Sequence, residues 1–324
     1  MAKTKVEFVC RECGASHHQW AGQCLECKAW NTLEEIVISQ ATASKPDSLK
    51  DLPASKVQNL TEVKSQNKDR LSTGLSELDR TLGGGLVDGS VVLIGGDPGI
   101  GKSTLILQAL ATLNKANTTL YVSGEESAEQ VSERAVRLGI KEDVLFIGET
   151  HLEKILKLSK DVQPKVIVID SIQTMVTDLS TSAPGSVTQV RDCAAQLTQY
   201  AKQTNTVLLM IGHVTKGGAL AGPRILEHMV DAVLYFEGDA GGRYRVIRAV
   251  KNRFGAVNEI SVFAMGEKGL QQVSNPSSIF LSNQENPSSG SMVMVTREAT
   301  RPLLIEIQAL VDQSNALPRE SVLA

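Results

Sequence analysis

The chain has 324 residues, of which 42% are hydrophobic and 4% aromatic, and a net charge of −3. That length suits about two domains with a sizeable core, and the charge gives no global basic field that would advertise nucleic acid, although a local basic channel would not register in it. No apolar run is long enough to span a bilayer, and Met1-Ala2-Lys3-Thr4-Lys5-Val6-Glu7 lacks the apolar centre of a signal peptide, so a cytoplasmic protein with reduced thiols is expected.

Residues 1–37 are expected to form a compact metal-bearing unit. Cys10, Cys13, Cys24 and Cys27 give the pattern C-x₂-C-x₁₀-C-x₂-C. Four thiolates at this spacing suit a closed, tetrahedral Zn²⁺ site. Gly14 and Gly22 sit beside the cysteine pairs, so a very small unit can fold around the metal. A disulfide pair is the alternative, and a reducing setting disfavours it. Since four cysteines complete the shell, His17 and His18 are expected on the surface of the intervening loop. Trp20 and Trp30 are expected to cover the metal site, or else to offer a stacking or partner surface. The fifth cysteine, Cys193, stands alone in a predicted helix and reads as a small buried apolar residue.

Residues 38–69 read as a linker, with a polar, unpatterned stretch from Ser39 to Pro46. Over residues 70–270, short β-branched runs alternate with helical patterns. Strands are predicted at residues 91–95, 119–123, 144–147, 166–170, 207–211, 232–236 and 244–250. Helices are predicted at residues 127–138, 152–160 and 189–202. This alternation predicts an α/β domain with a mainly parallel sheet covered by helices on both faces.

Gly96-Asp97-Pro98-Gly99-Ile100-Gly101-Lys102-Ser103-Thr104 reads G-x-x-x-x-G-K-S, a complete phosphate-binding loop between a predicted strand and helix. Its backbone N–H groups would point at phosphate oxygens, aided by the helix N-terminus. Lys102 would reach the β- and γ-phosphates of ATP, and Ser103 would ligate Mg²⁺. Val166-Ile167-Val168-Ile169-Asp170 is an apolar run ending in an acid, about seventy residues after the loop. Asp170 would hold the Mg²⁺ shell opposite Ser103.

The predicted strand at 119–123 leads into Glu125 and Glu126. Glu125 is the expected catalytic carboxylate that orients the attacking water, with Glu126 as the alternative. The stretch from Ser123 to Glu126 also resembles a capping box at a helix start. His213 follows another apolar strand and is a candidate γ-phosphate sensor. Lys251-Asn252-Arg253-Phe254-Gly255 places two cations on one face of an extended segment. They would serve as positive fingers in a neighbour's ATP site, contact nucleic-acid phosphates, or form a solvated strand end. Residues 271–324 are turn-rich, with a two-strand unit at 291–296 and 303–307. About fifty residues are little to build a core from, so this end reads as an incomplete domain.

These features in this order resemble the bacterial RadA (Sms) family of RecA-like recombination and repair ATPases. The resemblance is carried by the four-cysteine finger, Leu71 to Asp79, Leu82-Gly83-Gly84-Gly85-Leu86, the phosphate loop, Ser123 to Ser127, Ile169-Asp170-Ser171 and, above all, Lys251 to Gly255. It implies a RecA-like P-loop core behind a zinc finger, assembled as a homo-hexameric ring with ATP at subunit interfaces. It implies DNA-dependent ATP hydrolysis, translocation on single-stranded DNA and branch migration of branched intermediates. RecA recombinase and the replicative helicase machinery are the implied partners. By this analogy Lys251 and Arg253 act in trans on ATP, and residues 174–187 and 214–223 line the DNA channel. Lys216 is the phosphate contact there and Arg224 a weaker candidate. Members end in an α+β domain shaped like the Lon peptidase, of which residues 271–324 match only the opening part, so no protease activity is expected. The competing expectations are a KaiC-like ATP-dependent switch without DNA stimulation and a recruitment module in which the zinc unit binds proteins. A metabolic P-loop kinase fits least, as no acceptor-site or lid signature lies between Asp170 and Val207.

Overall fold

The computed structural model describes residues 5–10, 16–26, 28–38, 70–180, 182–213, 225–238, 242–281 and 289–309. The chain divides into two compact units, Met1–Val273 and Ser274–Ala324. In the first unit, β1 (Lys5–Cys10) pairs antiparallel with β2 (Ser16–His17) and β3 (Leu33–Ile38). After α1 (Ser76–Thr81) comes the alternating region: β4 (Val91–Gly95), α2 (Lys102–Leu113), β5 (Thr119–Ser123), α3 (Ala128–Leu138), β6 (Leu145–Gly148), α4 (Leu152–Val162) and β7 (Val166–Asp170). It continues with α5 (Val187–Thr204), β8 (Val207–Ile211), α6 (Ile225–Met229), β9 (Ala232–Glu237), β10 (Tyr244–Asn252), β11 (Ile260–Gly266) and β12 (Gly269–Gln272).

β4 to β12 form one sheet in the order β12-β11-β10-β9-β4-β8-β7-β5-β6. The six strands from β9 to β6 are parallel, and β10, β11 and β12 continue the sheet antiparallel. The predicted parallel sheet is therefore present, and the antiparallel extension through β11 and β12 is an addition to it. Every residue of β4, β5, β7 and β8 is buried, which is why these strands read as continuous apolar runs rather than alternating ones. Successive side chains still face opposite ways. Val92 and Ile94 enter the core with Leu105 and Leu110 of α2, while Val91 and Leu93 enter the core with Ile155 of α4 and Leu197 of α5. Each such fully buried aliphatic side chain contributes about 1.5–3 kcal/mol of burial free energy.

Helix ends follow local chemistry. The capping box that starts α3 is Ser127 with Gln130, in which each residue's side chain accepts from the other's backbone N–H. It is not Ser123 with Glu126; Ser123 Oγ accepts from the Glu126 N–H at 2.9 Å, which tightens the turn after β5 instead. Gly139 closes the helix in the left-handed conformation. Cys193 of α5 is fully buried, as its sequence context predicts, and burial with nearby Glu153 and Asp192 pushes its thiol up to about 12.

The second unit holds α7 (Ser277–Phe280) and an antiparallel hairpin of β13 (Ser291–Glu298) and β14 (Arg301–Gln308). Arg301 is buried in it and donates to the Ser274 carbonyl at 3.1 Å. Met292, Val293, Met294 and Val295 are all exposed, on both faces of β13. No helix among the described residues is long and apolar enough to cross a membrane.

Candidate functional site

Parallel strands carry their C-terminal ends to one edge of the sheet, the usual location of ligands in such folds. Gly95, Ser123, Asp170 and Ile211 all end strands there. The loop after β4 curls back over the sheet and enters α2 through Gly101, at φ 113°. A side chain at Gly101 would be strained at that φ, and its Cβ would meet Met265 Cε at 2.7 Å. Above Gly99 the space is open, with nothing within 4 Å of an added Cβ. No side chain caps the start of α2, so its first N–H groups are available to an anion. Lys102 is buried and donates to the Gly96 carbonyl at 2.7 Å and the Asp97 carbonyl at 2.8 Å. Burial lowers its pKa, against the opposing pull of Asp170, Asp97 and Glu125.

A residue that sequence reasoning missed fastens this loop. Arg245 of β10 is 2% exposed, and its Nε donates to the Ile100 carbonyl at 3.0 Å. Its Nη1 donates to the carbonyls of Gly242 and Tyr244. A lone arginine in a strand pattern gives no signal of this; only the antiparallel extension puts it beneath the loop.

The two adjacent glutamates are in different situations. Glu126 forms a bidentate pair with Arg134 of α3, through Nη1 to Oε2 at 2.7 Å and Nη2 to Oε1. Glu125 is not engaged by that arginine. Its Oε1 accepts from Ser171 Oγ at 2.6 Å and lies 3.4 Å from His213 Nε2. Across the sheet, β5 and β7 pair Ser123 with Asp170, and the Tyr121 phenol donates to Asp170 Oδ2. Burial, then the Asp170 charge, raises the Tyr121 pKa well above its ordinary value. Gly99, Lys102, Ser103, Glu125, Asp170 and His213 border one cavity of about 370 Å³, joined by Arg134 and Arg137. The residues present therefore fit a nucleotide with Mg²⁺: an anion cradle with Lys102 and the Ser103 hydroxyl on one side, and the carboxylates of Glu125, Glu126 and Asp170 on the other. Arg134 and Arg137 were not anticipated, and their spacing on α3 is the signal that could have found them.

Lys251 and Arg253 lie elsewhere. β10 pairs Asn252 with Ala232, and Ala232 pairs with Val92 near the start of β4. The phosphate loop leaves the other end of β4, about 10 Å further along at ~3.3 Å per residue. The cations thus sit at the sheet edge away from their own chain's loop. Lys251 Nζ donates to the carbonyls of Glu227 and Val230 at 2.6 and 2.8 Å, at the end of α6. Burial and then the Arg253 charge lower its pKa. Arg253 Nη1 pairs with Asp231 Oδ1 at 3.1 Å while its side chain stays 57% exposed. Asp231 is buried and also accepts from Lys202 Nζ and the Val91 N–H.

The rest of the motif is anchored to the end of α1 and to residues before and after that helix. Asn252 donates to the Thr81 carbonyl and accepts the Phe254 N–H, and Arg70 Nη2 donates to the Phe254 carbonyl at 2.7 Å. An added Cβ on Gly255 would meet the Gly83 Cα at 2.7 Å. Gly255→Ala is expected to cost about 1–3 kcal/mol through this backbone clash, measured by urea unfolding. Lys216 and Arg224 lie outside the described residues.

In the N-terminal sheet, Cys10 and Cys24 are each 1% exposed and share a small core with Leu33. The Cys24 N–H donates to the Ala29 carbonyl, and the Lys28 N–H donates back to the Cys24 carbonyl, both at 2.9 Å. This turn presents the Cys24 thiol inward. Cys10 Sγ lies 3.2 Å from Thr32 Oγ1. Cys13 and Cys27 lie outside the described residues. His17 departs from the expectation of a surface loop residue: it belongs to β2, is half-buried, and its Nε2 lies 3.5 Å from Cys24 Sγ. His18 is exposed. Trp20 and Trp30 are 60% and 70% exposed, with their rings close to Gly22.

Residues 70–257 match a family of unknown function (DUF7125), and residues 8–35 match a rubredoxin metal binding domain. The chain is 55% identical over 325 residues to the DNA repair protein RadA of Pseudomonas aeruginosa, covering 100% of this chain and 72% of that protein. It is 53% identical over 319 residues to the protein of that name in Haemophilus influenzae, and 52% over 321 residues to that of Escherichia coli. Each of these two alignments covers 97% of this chain and 70% of the relative.

Proposed function

Because the chain belongs to the RadA family of DNA repair proteins, we propose that it is a DNA-dependent ATP hydrolase acting in recombination and repair. The observation that carries this is the convergence of Lys102, Ser103, Glu125 and Asp170 on one cavity at the ends of β4, β5 and β7. The amides at Gly96–Thr104 and the Lys102 ammonium bind the phosphates. Ser103 and Asp170 hold Mg²⁺, which supplies charge neutralisation when bound. Glu125 accepts the proton of the attacking water, with Ser171 and His213 orienting its carboxylate. Glu126 is spoken for by Arg134 and serves as scaffold.

Lys251 and Arg253 complete the site of a neighbouring copy. Their place at the edge away from their own phosphate loop supports action in trans, and so a ring of identical chains. Lys216 contacts DNA phosphates within the ring. Residues 1–37 form a zinc finger held by Cys10, Cys13, Cys24 and Cys27, and the burial of Cys10 and Cys24 suits a closed structural site. Residues 38–69 are its linker, 70–270 the motor and 271–324 part of a Lon-like domain. Hydrolysis drives translocation on single-stranded DNA and migration of branches, in concert with the recombinase and the replicative helicase.

The test is ATP hydrolysis with and without single-stranded DNA, with Lys102→Ala as the blank. Stimulation in the parent and none in the variant is expected. Basal hydrolysis that DNA leaves unchanged would favour a KaiC-like switch.

A further inference from the structure

Tyr121 sits at the centre of β5 and is 0% exposed. The register pairs it with Val168, two residues before Asp170. Side chains alternate along strands, so Tyr121 and Asp170 share one face of the sheet on a diagonal. The phenol crosses that diagonal and donates to Asp170 Oδ2. The ring packs on Phe146 of β6, with centroids 6.3 Å apart and planes 17° from parallel. Phenylalanine would serve that packing equally well. A hydroxyl in an apolar core costs free energy unless it finds a partner. What tyrosine adds here is therefore the bond to Asp170.

Asp170 is 6% exposed and borders the phosphate cavity beside Lys102 and Ser103. With Oδ2 held from within the sheet, Oδ1 is the oxygen left to serve that cavity. We propose that Tyr121 is a positioning residue that fixes the Asp170 carboxylate for a Mg²⁺ ion bound with the nucleotide. The assignment rests on the ATP-hydrolysing function proposed above. A carboxylate already held by an outer hydrogen bond loses less freedom when the metal binds. Partners of this kind carry about 10–100-fold in metal affinity.

Tyr121→Phe keeps the ring and removes only the hydroxyl. The experiment follows binding of a fluorescent ATP analogue to the full chain, in EDTA and through a Mg²⁺ titration. Mn²⁺ binding in the presence of the analogue is read separately by electron paramagnetic resonance. In Tyr121→Phe the affinity in EDTA should match the parent, while the half-saturating metal concentration rises about tenfold. Phe146→Leu loosens the ring packing but keeps the hydroxyl, so it should shift the melting temperature without raising the metal requirement. An unchanged metal requirement in Tyr121→Phe, or an equal rise in Phe146→Leu, would overturn the assignment. A parent that binds no nucleotide in either condition would overturn the ATPase function and this assignment with it.

Discussion

Glu125→Gln is expected to slow ATP hydrolysis by about 10²–10⁴-fold, the usual contribution of a positioned general base. Nucleotide binding should persist, because Lys102 and the N–H groups at the start of α2 are untouched. A rapid-quench measurement at saturating ATP separates the two. Glutamine keeps the size of the side chain and can still accept from Ser171 Oγ, the partner now at 2.6 Å, so folding is not at stake. Glu126→Gln should behave differently. It breaks the bidentate pair with Arg134, and its loss falls on the stability of the α3 region more than on the chemical step. Equal losses of hydrolysis in the two variants would remove the basis for assigning them separate roles.

Arg253→Ala should lower the hydrolysis rate of the assembled protein by about 10³-fold or more, as expected for an arginine that neutralises transition-state charge from a neighbouring subunit. Two controls follow from its surroundings. Affinity for ATP at the variant's own phosphate loop should hold, since Arg253 pairs with Asp231 beside the start of β4 rather than with any residue of that loop. Stability should change by less than about 1 kcal/mol, because the arginine is largely exposed and such pairs are weak. Asp231, although buried, keeps Lys202 and the Val91 N–H as partners. Equilibrium nucleotide binding and urea unfolding report these quantities independently of turnover.

The parts of the fold that were legible in the sequence are those that local chemistry dictates. Strands buried on both faces announce themselves as unbroken apolar runs, and β4, β5, β7 and β8 each contain such a run. The phosphate loop is legible because its glycines are demanded by backbone conformation at positions such as Gly101. What the sequence left open depended on register and on contacts across long separations. That Arg134, eight residues on, pairs with Glu126 and leaves Glu125 to Ser171 and His213 is one such contact. Arg245 reaches Ile100 across 145 residues, and nothing near either residue foretells it. The expectation for His17 failed because the cysteine spacing says nothing about which side of the small sheet its imidazole takes, and β2 turns it onto Cys24. The capping box was displaced by one turn because Ser123 and Ser127 offer the same chemistry four residues apart, and only the second begins a helix.

The central claim is that each ATP site is built from two copies of the chain. The most direct measurement mixes Glu125→Gln with Arg253→Ala, each inactive alone, and follows ATP hydrolysis in the presence of single-stranded DNA as their ratio is varied. If Arg253 acts in trans, some interfaces in mixed assemblies pair an intact Glu125 with a neighbour's intact Arg253. Hydrolysis should then reappear and peak at intermediate ratios. Mixtures that exchange subunits yet stay as inactive as the separate variants at every ratio would contradict the shared site.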